Sequence, residues 1–279
     1  MADPEAPRIG IFDSGIGGLS VLRGLRRTLP RADITYLADA RYTPWGDRTA
    51  PWVIARSLQL STHLIDHGAD LVLVACNTAS TLAIGALRAR WPGQLFVGVE
   101  PGIKPAAAAS QSGRIAVLGT SATLASARFG QLVDAHALDA KLLSLPCPGL
   151  ADAIEQAGAS SAADLQLAVR LDAIARTLKA AAVDTVVLAC THYPLAATAL
   201  AQRLGPDVAL IDTSDAVVRQ VLKLLGINNT DPAPDGTPPQ APGMPHLLST
   251  GSPEGLQRAA RRWIDPLAKP EWLNLPALA

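Results

Sequence analysis

The sequence holds few cysteines, few charges and no long apolar stretch. Its three cysteines, at 76, 147 and 190 of 279 residues, are too sparse for a disulfide framework, and none forms the Cys-x-x-Cys pair of a zinc ribbon or dithiol redox motif. No apolar run approaches the ~18 residues of a membrane span, and residues 1–7 lack the basic start and apolar core of a signal peptide. The expectation is a soluble, cytoplasmic protein with reduced thiols and no membrane partner. Lys plus Arg and Asp plus Glu both number 24, for a net charge of zero. The basic excess that holds proteins to nucleic acid is therefore missing. None of the five lysines (104, 141, 179, 223, 269) follows a predicted strand, which argues against a Schiff-base lysine and pyridoxal phosphate. His63 and His67 lie four apart on a predicted helix, with no glutamate between them and no evident third ligand, so no metal site is expected.

Apolar material is abundant: 49% of residues are hydrophobic, which excludes charge-driven disorder, and the length suits about two domains at ~150 residues each. Short continuous apolar runs at Ile9–Phe12, Ile34–Leu37, Leu71–Ala75, Leu95–Val99, Ile115–Leu118, Thr185–Ala189 and Val208–Ile211 read as buried strands. Between them, Pro51–His67, Ala122–Ala137, Ala162–Ala182, Pro194–Leu204 and Ser214–Leu225 read as helices. That alternation predicts an α/β fold with parallel sheets covered by helices on both faces. Ligands then sit beyond the carboxyl ends of the strands. Gly226–Pro245, with six prolines, reads as a long loop; His246–Thr250 resembles a short strand, Pro253–Ile264 a helix, and the tail from Asp265 has no clear assignment.

Two segments echo one another. Leu71-Val-Leu-Val-Ala-Cys76-Asn-Thr78 and Thr185-Val-Val-Leu-Ala-Cys190-Thr-His192 are both buried-strand patterns ending in Ala-Cys before a helix. Two related halves could thus each place a thiol at the same point of a sheet. A helix N-terminus favours thiolate, the form that is both base and nucleophile. Cys147, after Leu142–Pro146 and before Pro148, has no comparable setting and reads as structural. The first strand runs into Asp13-Ser14-Gly15-Ile16-Gly17-Gly18, a turn whose backbone N–H groups suit an anion, but the glycine spacing is neither a dinucleotide fingerprint nor a P-loop. Asp13 is placed to orient, or exchange a proton with, a neighbouring base. Ala38-Asp39 with Pro44-Trp45-Gly46, and Gly119-Thr120-Ser121-Ala122-Thr123, are similar strand-end segments. Hydroxyls and amides gather at these ends without lysine or arginine, which points to a small polar ligand rather than a polyphosphate. Glu155, alone, would be an ordinary surface carboxylate.

Together, Asp13-Ser-Gly-Ile-Gly-Gly-Leu-Ser-Val21, Pro44-Trp-Gly46, Ala75-Cys-Asn-Thr-Ala-Ser80 and Ala189-Cys-Thr-His-Tyr-Pro-Leu195 resemble the cofactor-independent aspartate/glutamate racemases, in their glutamate-specific branch. The similarity runs through Cys147-Pro148, Glu155 and Ser249-Thr-Gly-Ser-Pro-Glu254. It implies two doubly wound α/β domains related by pseudo-symmetry, one of residues 1–100 plus 212–279 and the other of 101–211, with the active site in the cleft between them. It implies interconversion of L- and D-glutamate by two bases and no cofactor, in supply of peptidoglycan. Inverting a stereocentre needs an acid–base group on each side of the carbon, and a thiol lowered from ~8.5 towards neutrality suits both roles. By this resemblance Cys76 deprotonates D-glutamate with help from Asp13, and Cys190 deprotonates L-glutamate with help from His192 and Glu155. Substrate-binding positions are Asp13, Ser14, Trp45, Gly46, Asn77, Thr78, Thr120, Thr123, Thr191 and His192. Homodimers are common in the family. Where the family usually has Pro-Tyr-Gly, this chain has Trp45, which lacks the phenol oxygen; Tyr42 is a candidate to replace it. Rival readings are a relative acting on aspartate, a hydantoin or a bulkier amino acid, and a binding or regulatory relative with weak catalysis.

Overall fold

The computed structural model describes residues 6–137, 139–227 and 243–278. Every strand pairing in it is parallel. The first sheet holds β1 (Arg8–Asp13), β2 (Asp33–Ala38), β3 (Leu71–Val74), β4 (Leu95–Gly98), β9 (His246–Ser249) and β10 (Glu271–Trp272), in the order β10-β9-β2-β1-β3-β4. The second holds β5 (Arg114–Gly119), β6 (Lys141–Pro146), β7 (Thr185–Ala189) and β8 (Ala209–Ile211), in the order β6-β5-β7-β8. Each sheet therefore repeats one pattern in its first four strands, second-first-third-fourth. Where the order reverses, between first and third strands, the connections leave in opposite directions and open a crevice at the carboxyl ends.

Alternation along the strands explains the helices on both faces. In the first sheet, Ile9, Ile11, Leu71 and Leu73 face a core closed by α1 (Leu19–Thr28), α10 (Ser214–Leu224) and α11 (Pro253–Trp263). Their neighbours Phe12, Val72 and Val74 face α2 (Ala50–Asp66) and α3 (Asn77–Arg90). In the second, Ile115, Val117 and Val187 meet α4 (Ile103–Ala109) and α6 (Ala127–His136), while Ala116, Leu118 and Val186 meet α7 (Leu150–Gln156), α8 (Ser161–Ala180) and α9 (Ala197–Leu204). Strands buried on both sides need the continuous apolar runs seen in the sequence.

The structure corrects three expectations. The helix read over Ala122–Ala137 is two, α5 (Ser121–Leu124) and α6, because Ser126 leaves helical geometry and its hydroxyl caps the second by accepting from Phe129 N–H. Pro194–Leu204 begins as a tight 3-10 turn at Tyr193–Ala196 before α9 starts. Cys147 does follow a strand: β6 ends at Pro146, and the Cys147 N–H still donates to the Gly119 carbonyl. The loop read at Gly226–Pro245 lies largely outside the described residues. The tail from Asp265 supplies β10 at the edge of the first sheet. Among the described residues, no helix is long and apolar enough to cross a membrane.

Candidate functional site

Cys76 stands one residue beyond the end of β3, after Ala75, and Cys190 directly follows β7, the third strand of each sheet. Both thiols line one small cavity together with Ser14, Pro44, Trp45, Gly46, Asn77, Thr78, Thr120, Ala151, Thr191 and His192. The space open to the centre of a water molecule there is about 20 Å³, close to that of a single water. Asp13, Glu155 and Thr123 do not line it. They stand one layer back and hold those that do.

Behind Cys76 lies the turn after β1. Asp13 is fully buried and accepts from Ser14 N–H (2.7 Å), Gly18 N–H (2.6 Å), the Ser14 hydroxyl (3.3 Å) and, from the other half, the Thr191 hydroxyl (3.2 Å). The Cys76 thiol in turn donates to Ser14 Oγ at 3.8 Å. Asp13 thus reaches Cys76 through Ser14 rather than directly. Burial raises the Asp13 pKa, against the pull of His192 and the two N–H donors.

Behind Cys190 the arrangement differs. His192 Nδ1 lies 3.8 Å from the Cys190 sulfur, and Nε2 lies 2.7 Å from Glu155 Oε1, which also accepts from Ile16 N–H at 2.8 Å. Burial works against a charged imidazole, but the hydrogen bonds to Cys190 and Glu155 outweigh it and hold the His192 pKa well above 6.5. A protonated His192 is a positive partner for a thiolate at Cys190.

At Cys76 the expected lowering by a helix end is not what the structure gives. Cys76 caps α3, and the Ala79 N–H favours its thiolate, yet burial and then the Asp13 charge push its pKa up. Cys190 precedes a 3-10 turn rather than an α-helix, so its local polar partner is His192. Burial pushes Cys147 up as well, to about 12. Chemically, the cavity is lined by a thiol that donates to a serine hydroxyl and by a thiol–imidazole pair, two unequal groups of the kind that acid–base chemistry uses.

Other groups suit a small polar ligand. Both side-chain polar atoms of Asn77 are buried with no hydrogen-bond partner, an arrangement that disfavours the site until something fills it. Thr78 Oγ1 lies 3.1 Å from Thr120 Oγ1, which donates to Thr123 Oγ1 at 2.9 Å, a hydroxyl chain across the two halves. Trp45 has no exposed surface; its ring packs into the core beneath the cavity, so it forms the wall without offering its side chain. Tyr42 does not reach the cavity: its ring sits edge-on to Trp52 at 5.5 Å. Sequence reasoning missed Ala151 and the Ser20 hydroxyl that donates to the Thr191 carbonyl (3.3 Å), and nothing in their local pattern marks them. Asp39, read as a strand-end residue beside Pro44-Trp45-Gly46, is bonded to Trp45 Nε1.

Residues 19–221 match the model of the Asp/Glu/Hydantoin racemase family. A glutamate racemase of Ectopseudomonas mendocina is 42% identical over 226 residues, covering 81% of this chain and 84% of its own. In structure, the chain is similar to a glutamate racemase isoform of Bacillus anthracis, with a TM-score of 0.81 at 26% identity over 98% of this chain and 100% of the other. It is also similar to a glutamate racemase of Escherichia coli in complex with L-glutamate and the activator UDP-MurNAc-Ala, with a TM-score of 0.77 at 30% identity, covering 92% and 95%.

Proposed function

The chain belongs to the Asp/Glu/Hydantoin racemase family, and from that premise we propose that it interconverts L- and D-glutamate by two cysteines acting from opposite sides of the α-carbon. The observation that carries this reading is the meeting of Cys76 and Cys190, from matched positions of two sheets, in one cavity. Cys190, paired with protonated His192, takes the α-proton of L-glutamate, and Cys76 returns a proton on the other face; D-glutamate runs the reverse. Glu155 keeps His192 charged and oriented, and Asp13 with Ser14 does the corresponding work for Cys76. Ser14, Gly46, Asn77, Thr78, Thr120 and Thr191 hold the substrate's polar groups, with Thr123 and Trp45 supporting them from behind. No cofactor takes part.

The same reading places the product in peptidoglycan synthesis and the protein in the cytoplasm, as a homodimer. It divides the chain into domains of 1–100 plus 212–279 and of 101–211, a division supported by sheet membership.

The test is turnover of each enantiomer in D₂O. The product should carry deuterium at Cα, while unreacted substrate recovered early keeps its hydrogen. Cys76→Ala and Cys190→Ala should each abolish racemisation in both directions. Normal turnover in either variant, or a preference for aspartate over glutamate, overturns the assignment.

A further inference from the structure

Trp45 is held by a buried ion pair that never reaches the cavity. Its ring stands edge-on to Trp52 at 5.5 Å and beside Phe12 at 6.4 Å, and its indole N–H donates to Asp39 Oδ2 at 3.2 Å. Asp39 and Arg56 are both 0% exposed. Arg56 grips the carboxylate with two prongs, Nη2 to Oδ1 at 2.6 Å and Nε to Oδ2 at 3.0 Å. The Thr250 hydroxyl donates to Oδ1 at 2.7 Å. Each carboxylate oxygen thus takes two donors, and the group has little freedom left.

The ion pair is tied to what surrounds it on every side. Asp39 N–H donates to the Asp13 carbonyl at 2.9 Å, which joins it to the turn behind Cys76. Arg56 Nη1 donates to the Pro276 carbonyl at 3.1 Å, and the guanidinium lies 4.7 Å from the centre of the Tyr42 ring. Burying two charges is a poor route to stability alone, since an apolar pair of similar volume often does as well, and its best-attested use is to fix geometry. What needs fixing is close by. Gly46, the next residue after Trp45, packs so tightly on Thr120 of the other half that an added Cβ would lie 3.0 Å from Thr120 Cβ. A shift of a few tenths of an ångström in this wall alters how the halves meet.

We infer that Asp39 and Arg56 are positioning residues which, through the indole N–H of Trp45, set where the Pro44–Gly46 backbone meets the substrate and Thr120. They act on binding and not on proton transfer. Trp45 then has a specific reason to stand where the family usually has tyrosine: its N–H reaches a buried carboxylate from within the core. The substrate in this inference rests on the functional reading above, but the fixing of the wall does not.

Trp45→Phe removes the N–H and keeps an aromatic ring in the core. Two readouts follow. The first is the alkylation rate of each cysteine by iodoacetamide, mapped by mass spectrometry, which needs no turnover. Cys76 and Cys190 should react at least about tenfold faster in the variant, as for a wall freed of one hydrogen bond to a charged group, while Cys147 keeps its rate. The second is kinetics with both enantiomers: KM should rise by a similar factor and kcat should stay nearly constant. Asp39→Asn should act in the same way, and the double variant should be no worse than Asp39→Asn alone. Should Asp39→Asn fail to fold, Trp45→Phe alone decides. Unchanged alkylation of the two cavity thiols overturns the inference, as does a fall in kcat at constant KM. A parent protein that turns over no glutamate defeats the functional reading instead, and alkylation still decides the positioning role.

Discussion

Replacing His192 with asparagine tests the asymmetry between the two thiols. The imidazole is buried between the Cys190 sulfur and Glu155, and asparagine is too short to span both. Glu155 keeps its bond from Ile16 N–H, so the carboxylate is not stranded; what disappears is the charged donor to sulfur. A hydrogen bond to a charged group is worth about 1.5–3 kcal/mol, which corresponds to about 10- to 150-fold in rate. Initial rates followed by circular dichroism give the magnitude. Because the enantiomers have equal free energy, kcat/KM must fall by the same factor in both directions, whichever thiol is impaired, and the asymmetry can appear only in how kcat and KM share the loss. The pH profile is the sharper check. His192 is charged well above the ordinary imidazole value, so its contribution is complete below about pH 6.5 and is lost as pH rises through its raised pKa. The parent should lose kcat/KM on that alkaline side, and the variant should lack that decline. An asparagine variant as fast as its parent, with the alkaline decline intact, refutes the pairing of Cys190 with His192.

Gly15→Ala places a methyl group on the Glu155 carboxylate and should lower kcat/KM about tenfold by pushing Glu155 off His192, with little change in the circular dichroism spectrum. Asp39→Asn leaves Arg56 buried without its counter-charge and should reduce stability by about 3–5 kcal/mol, read from urea unfolding at an unchanged slope. Thr120→Val removes the hydroxyl that accepts from Thr123 N–H at the start of α5 and meets Thr78; it should cost about 0.5–2 kcal/mol and weaken substrate binding, whereas Thr120→Ser should restore both. Stability should also fall with alkaline pH, because a raised histidine pKa stabilises the fold only while the ring is protonated; the melting temperature against pH measures it.

How legible each part was follows from how local its cause is. The strands carrying Cys76 and Cys190 were readable because strands covered on both faces are apolar at every position, as Leu71–Val74 and Thr185–Ala189 are. β6 was not, since as an edge strand of the second sheet it is only half covered, and Lys141, Ser144 and Pro146 interrupt its apolar run. That omission left Cys147 without its strand. Ser126 looks like any helical serine until its hydroxyl is seen capping α6. The thiols' surroundings were visible as residue types but not as electrostatics: a helix start can be read from a sequence, while the burial that overrides it at Cys76 cannot. Asp39, Arg56 and Trp45 are linked only by the folding of the chain, and no spacing rule announces such a group.

The tightness of the space between the sulfurs has a kinetic consequence. Room for roughly one water is far less than an amino acid occupies, so a substrate seated there requires the walls to part, and close contacts such as Gly46 on Thr120 and Gly17 on His192 stand in the way. Two such breathing events bracket every proposed turnover, and a viscous medium should slow the cycle wherever they are slower than the chemistry. In the proposed cycle both sulfurs carry a hydrogen once the α-proton has been taken, so the hand of the product is decided by which of the two thiols gives its proton back to the carbon.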